Sequence, residues 1–168
     1  MSAWIRRVLF PTMLAATVEL GAADVSLQPR LAQIEDPILG TWNLDVAQSK
    51  YRPGPPPKSE RRTYEARPDG VEVTITRIEA DGHSTRIQYT ADYNSMEYPV
   101  SGSSEVSTIA LRRVDAYTAE ATLTHAGKQL GSAQRVVSKD GKTLTISLEG
   151  TDSRGQFKNV AVYTRELK

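Results

Sequence analysis

"VEVTITRIEADGHSTRIQYTADY", Val71 to Tyr93, decides the fold. Apolar and polar side chains alternate through it, with Val71, Val73 and Ile75 set against Glu72, Thr74 and Thr76, and then Ile87, Tyr89 and Ala91 on one parity. A period of two residues belongs to a β-strand with one face buried. Between the two runs lies Asp81-Gly82, a dipeptide that accepts the positive φ angles of a tight hairpin. The stretch therefore predicts two antiparallel strands joined by a short turn.

Outward from this hairpin the pattern recurs. Asp69-Gly70 and Asp140-Gly141 are turns of the same kind, and "TLTISLE", Thr143 to Glu149, alternates as Val71 to Ile78 does. Strands are expected near 38–46, 60–67, 71–80, 83–93, 96–101, 105–115, 117–126, 128–139, 143–151 and 156–166, with no sustained helical spacing. Nearly every connection is a hairpin, so sequential strands are neighbours, and closing such a meander on itself removes its edges. The expected fold is all-β, an up-and-down antiparallel β-barrel of about 8–10 strands. One segment breaks the rhythm. "AQSKYRPGPPPKSE", Ala47 to Glu60, carries four prolines, which a central strand does not tolerate, so it reads as a stiff surface connector with one helical turn at Ala47 to Lys50.

Alternation also assigns faces. In "PILGTWNLDV", Pro37 to Val46, it turns Ile38, Gly40, Trp42, Leu44 and Val46 inward. The fourth strand contributes Ile87, Tyr89, Ala91 and Tyr93, the fifth Met96, Tyr98 and Val100, and the seventh Tyr117, Ala119, Ala121 and Leu123. A barrel that needs only a core can be filled with Leu, Ile and Val. Mixing Tyr with Ala leaves room and polar handles, as a ligand pocket requires. The candidate ligand-binding residues are Trp42 as floor, Ile87, Tyr89, Tyr93, Tyr98, Tyr117 and Leu123 as wall, and Arg113 as contact for an acidic headgroup. In the doublets Arg61-Arg62 and Arg112-Arg113 one member of each must face inward, so Arg62 shares that candidacy.

His83 and His125, the only histidines, both fall on inward parity near turns. They open an alternative: a small barrel enzyme using one imidazole as base and a Tyr as acid in the same cavity. A further alternative is a filled barrel that works through its surface. Whether the chain catalyses anything is left open, with binding favoured, because no Gly-x-Ser-x-Gly, no Cys and no phosphate-binding glycine loop is present. The two histidines have no ligand spacing, so neither a metal nor another cofactor is expected.

A length of 168 residues suits one domain, and 21 basic against 20 acidic residues give a net charge of +1. That balance supplies no field for nucleic acid, and the expected partner is a small apolar molecule. The N-terminus, "MSAWIRRVLFPTMLAATVELGAAD", joins Arg6 and Arg7 to an apolar run and to Gly21-Ala22-Ala23. It reads as a secretory signal over residues 1–23, followed by a leader over 24–36 and a single barrel domain over 37–168. The apolar run is too short to span a bilayer, so the mature chain is expected to be exported, periplasmic or secreted, without membrane insertion. Oligomeric state is not legible.

Gly40-Thr41-Trp42 on a first strand, followed by an antiparallel meander, resembles the lipocalin-like (calycin) β-barrels. The resemblance implies a barrel that binds small apolar molecules, with its Trp packed at the closed end against a basic residue of the last strand. Arg165 in "VYTREL" is the matching position. The chain departs from that family in having no Cys pair, no C-terminal helical pattern and more than eight strands; Ala91-Asp92-Tyr93 is only loosely similar to its Thr-Asp-Tyr segment and comes early. It is also similar to a group of exported, uncharacterised bacterial proteins that open on a GTW strand followed by a "KSKY"-like proline-rich loop.

Overall fold

A computed structural model describes residues 36–152 and 155–167. The segment 1–23 read as a secretory signal, and the segment read as a leader as far as residue 35, lie outside the described residues. Ten strands follow in chain order: β1 (Gly40–Lys50), β2 (Ser59–Arg67), β3 (Gly70–Ile78), β4 (Ser84–Ala91), β5 (Asn94–Pro99), β6 (Thr108–Arg113), β7 (Thr118–His125), β8 (Lys128–Val137), β9 (Thr143–Asp152) and β10 (Gly155–Arg165). All pair antiparallel in one sheet of order β4-β3-β2-β1-β10-β9-β8-β7-β6-β5. The protein is thus an all-β, up-and-down barrel in which the first and last strands meet mid-sheet, with Trp42 opposite Arg165.

The edges of that sheet are consecutive strands. β4 and β5 are not joined by a ladder; the barrel closes instead where Gln88 and Ser101 exchange backbone hydrogen bonds of 3.0 and 2.9 Å. Gly102 makes this closure possible. Its φ is +76°, and a Cβ there would lie 1.8 Å from the carbonyl oxygen of Arg86, so only a residue without a side chain lets the segment lie against β4.

The alternation places the core as expected on most strands: Val71, Val73 and Ile75 of β3, Ala91 of β4 and Leu144 and Ile146 of β9 are buried. Three departures have local causes. Ala47 to Lys50 form no helical turn but the bulged end of β1, where the register shifts after Asp45. The Asp45 carboxylate binds the Gln48 N–H at 3.1 Å, and Ser49 donates to the Asp45 carbonyl at 2.6 Å while accepting from Val162 N–H. In β5 the register slips between Asn94 and Glu97, where Ser95 has a φ of +64°; the bulge breaks the alternation there and leaves Met96 exposed rather than inward, while Tyr98 and Val100 pack against the core. In β7 a shift between Leu123 and Thr124 buries Thr124 and turns His125 outward.

Candidate functional site

The two ends of the barrel differ in what they do with their charges. At the end where β1 begins, Trp42 is completely buried and its indole N–H donates to the Ile38 carbonyl at 2.8 Å. The Arg165 guanidinium stacks 4.1 Å above that indole. It donates to the carbonyls of Gly141 at 2.5 Å, Leu39 at 2.6 Å and Pro37. Gly40 belongs to the same arrangement, because with its φ of +120° a Cβ would stand 2.9 Å from Arg165 Nη1. The Gly-x-Trp signature is therefore a closed end held by a cation whose donors are used on backbone oxygens.

Beside it, Asp36 accepts from Ile38 N–H at 3.2 Å, from Tyr93 OH at 3.0 Å and from Arg113 at 2.5 Å. Burial pushes the Asp36 carboxyl up, but Arg113 and the Ile38 N–H outweigh it and hold it below the usual range. Arg113 also stacks on Tyr93 at 3.9 Å. Its side chain is partly exposed and belongs to this cluster, not to a cavity.

Toward the other end lies a cavity of about 210 Å³. Its wall is mainly aliphatic, with Ile75, Ile87, Ile109, Leu111, Leu123 and Ile146, and Ala119, Ala121 and Ala133 leave the space. Tyr64 and Tyr89 add phenols, and Arg62, Arg77 and Arg135 add guanidinium groups. Ser103, Glu105 and Val106, from the segment after the closing bridge, line the mouth, where a second hollow shares Arg77, Ile87, Ser103 and Glu105.

The first two arginines serve a buried carboxylate. Glu60, whose side chain has no exposure, accepts from Arg62, from Arg77 at 2.5 Å and from Tyr163 OH at 2.7 Å. Burial alone would push its carboxyl up; Arg62 and Arg77 overcome that and bring it down to about 2. Arg135 is placed differently. Its Nη2 donates to Tyr93 OH at 2.5 Å, and it sits 5.4 Å from the ring centres of both Tyr64 and Tyr93. Its Nε is shielded from solvent and meets no acceptor among the described residues.

Of the candidate residues, Ile87, Tyr89 and Leu123 come together on the cavity wall. Burial raises the Tyr89 phenol far above its ordinary pKa, so it is a neutral hydroxyl. Trp42 lies in the closed end, and Tyr93 in the Asp36 cluster beside it. Tyr98 accepts from Asn94 at 2.7 Å at the base of the irregular β5. Tyr117 precedes β7 in a turn whose N–H groups are bound by Asp115, and it is exposed. His83 also lies in a turn, its N–H bound by Asp81 at 2.8 Å. Both imidazoles are exposed and neither lines the cavity, so inward parity misplaced them. Among the described residues no three His, Asp or Glu side chains are grouped to hold a metal.

The polar residues of the cavity carried a signal of their own. Glu60, Arg62 and Tyr64 share one parity on β2, Arg77 continues that of Val71, Val73 and Ile75, and Arg135 falls between Ala133 and Val137. A charge on the apolar parity of a strand marks them. Only Arg62 was singled out from sequence; Glu60, Arg77 and Arg135 were not.

No protein-family model matches the chain, and no curated protein is similar to it in sequence. Among solved structures it is similar to the zebrafish ileal bile acid-binding protein complexed with cholic acid, at 10% identity and a TM-score of 0.46, over 77% of this chain and 99% of that one. That likeness is too distant to carry an argument about ligand or activity.

Proposed function

We propose that the protein is an exported binding protein or carrier that holds a small, largely apolar molecule inside its barrel. The cavity of about 210 Å³ supports the reading most directly. It exceeds the cavity of about 150 Å³ that admits benzene and falls below the roughly 300 Å³ at which sites for drug-sized molecules begin. By proportion it suits on the order of ten non-hydrogen atoms. Removing roughly 200 Å² of apolar ligand surface from water provides about 5 kcal/mol before the costs of association, enough for modest affinity. A barrel filled by its own side chains would lack this space. The acid-base alternative takes His83 or His125 as its base, and neither lines the cavity.

Native mass spectrometry of the protein from its own host is the test, with a small molecule expected to co-purify. Repeated failure, together with no uptake of small hydrophobic probes such as toluene or 1-octanol, would overturn the binding reading. Export rests on residues 1–23 alone. The chain recovered from the host is expected to start near Asp24, and recovery of a cytosolic chain retaining Met1 to Ala23 would overturn it.

A further inference from the structure

We propose that Arg135 is the recognition site for an acidic headgroup, so that the ligand is a small monocarboxylate with an apolar ring or short chain. This rests on the reading of the cavity as a ligand site. The barrel wall carries three guanidinium groups, and their partners differ. Arg62 and Arg77 share the Glu60 carboxylate. Arg135 has no carboxylate in ion-pair range among the described residues. Its Nη2 meets the neutral phenol of Tyr93, whose proton is directed at Asp36, and Asp36 is itself neutralised by Arg113. The Nε–H of Arg135 is left shielded and unbound.

A buried donor without an acceptor is costly, and a buried cation more so. A ligand carboxylate would answer both at once, through charge-assisted hydrogen bonds to a planar fork. The Tyr64 and Tyr89 phenols of the same wall are further donors for such a group. The other carboxylates of the lining do not compete for Arg135: Glu120 is engaged by Arg112, and Glu105 lies exposed at the mouth. With the head at Arg135, beside Ala119 and Ile146 in the sheet register, the apolar body extends past Ile87 and Leu123. The cavity volume then limits the acid to about ten non-hydrogen atoms. Octanoate has that size.

The experiment titrates the purified protein with octanoate and with 1-octanol by calorimetry, and follows the Arg135 Nε–Hε resonance by NMR. Octanoate should bind at least tenfold more tightly than 1-octanol and displace that resonance, which 1-octanol should leave in place. Arg135→Met should abolish the preference for the acid while 1-octanol still binds. Equal affinity for the two ligands, or octanoate binding with the Nε–Hε resonance unmoved, would overturn the headgroup site and leave the cavity reading intact. Failure of both ligands, with toluene also excluded, would overturn the cavity reading and this proposal with it. Should Arg135→Met not fold, the two titrations and the resonance of the unsubstituted protein still decide.

Discussion

Arg165 and Arg135 are both cations packed among aromatic rings inside one barrel, and they have opposite fates. Arg165 has one register partner, Trp42, and delivers hydrogen bonds to three backbone carbonyls. Arg135 lies in a wall of side chains, finds one phenol for Nη2 and nothing for Nε. The difference is in the acceptors within reach. At the closed end, chain turns present carbonyls that no ladder uses, so a guanidinium is satisfied without any carboxylate. At mid-wall β8 is laddered on both sides around Arg135, which occupies its backbone carbonyls, and the guanidinium is left to side-chain acceptors. One residue type thus closes a barrel in one place and keeps an unbound donor in the other.

The largest effect expected from breaking this contrast is at the indole. Trp42→Ala removes a fully buried ring from the closed end and should cost about 3–5 kcal/mol in denaturant unfolding. Retention of wild-type stability would remove Trp42 from its role as a structural floor.

Glu60 provides the next. Its carboxyl lies at about 2 in the folded protein against an ordinary 4.5, a difference worth about 3 kcal/mol. Above 4.5 the group is ionised in both the folded and the unfolded chain, and the full contribution is present. As pH falls from 4.5 toward 2, the unfolded chain takes up the proton first and the contribution is lost. Glu60→Gln should therefore cost about 3 kcal/mol at neutral pH, by stranding Arg62 and Arg77, and should flatten the acid limb of the stability profile. An unchanged acid limb would show that other carboxyls set it.

The two arginines then separate. Arg165→Met removes the donors serving three carbonyls and a cation over an indole, and should cost about 2–3 kcal/mol. Arg135→Met replaces an incompletely bound buried cation by an apolar chain of similar length, and should change stability by less than about 1 kcal/mol, in either direction. Equal losses at the two positions, measured by the same denaturant titrations, would erase the distinction drawn between them.

Much of the fold was legible because a two-residue period with Asp-Gly turns has few other solutions. Trp42 against Arg165 is what the resemblance to lipocalin-like barrels implied, and the structure stacks the two at 4.1 Å. The site was harder. Tyr117 and His83 were read as strand residues, but Asp115 and Asp81 fold their backbones into turns. His125 and Met96 were read on the inner face, but bulges in β7 and β5 move them off it. A bulge breaks the alternation where it falls, so that Met96 leaves the inner face while Tyr98 and Val100 keep it, and its position depends on how neighbouring strands pair. Arg113, the expected headgroup contact, lies in reach of Asp36, a residue distant in sequence.

By itself, then, the sequence determined the strand order and the hairpins, since these follow from local periodicity and turn chemistry; the Trp42–Arg165 end was implied only by the likeness to lipocalin-like barrels. Tertiary structure alone decided which charge has a partner. Glu60 reaches Arg77 and Tyr163 only because β3 folds back on β2 and β10 arrives from the far end of the chain to flank β1. Arg135 is left with an unbound donor for the same reason, because pairing a buried charge depends on distances across the barrel that no local pattern encodes.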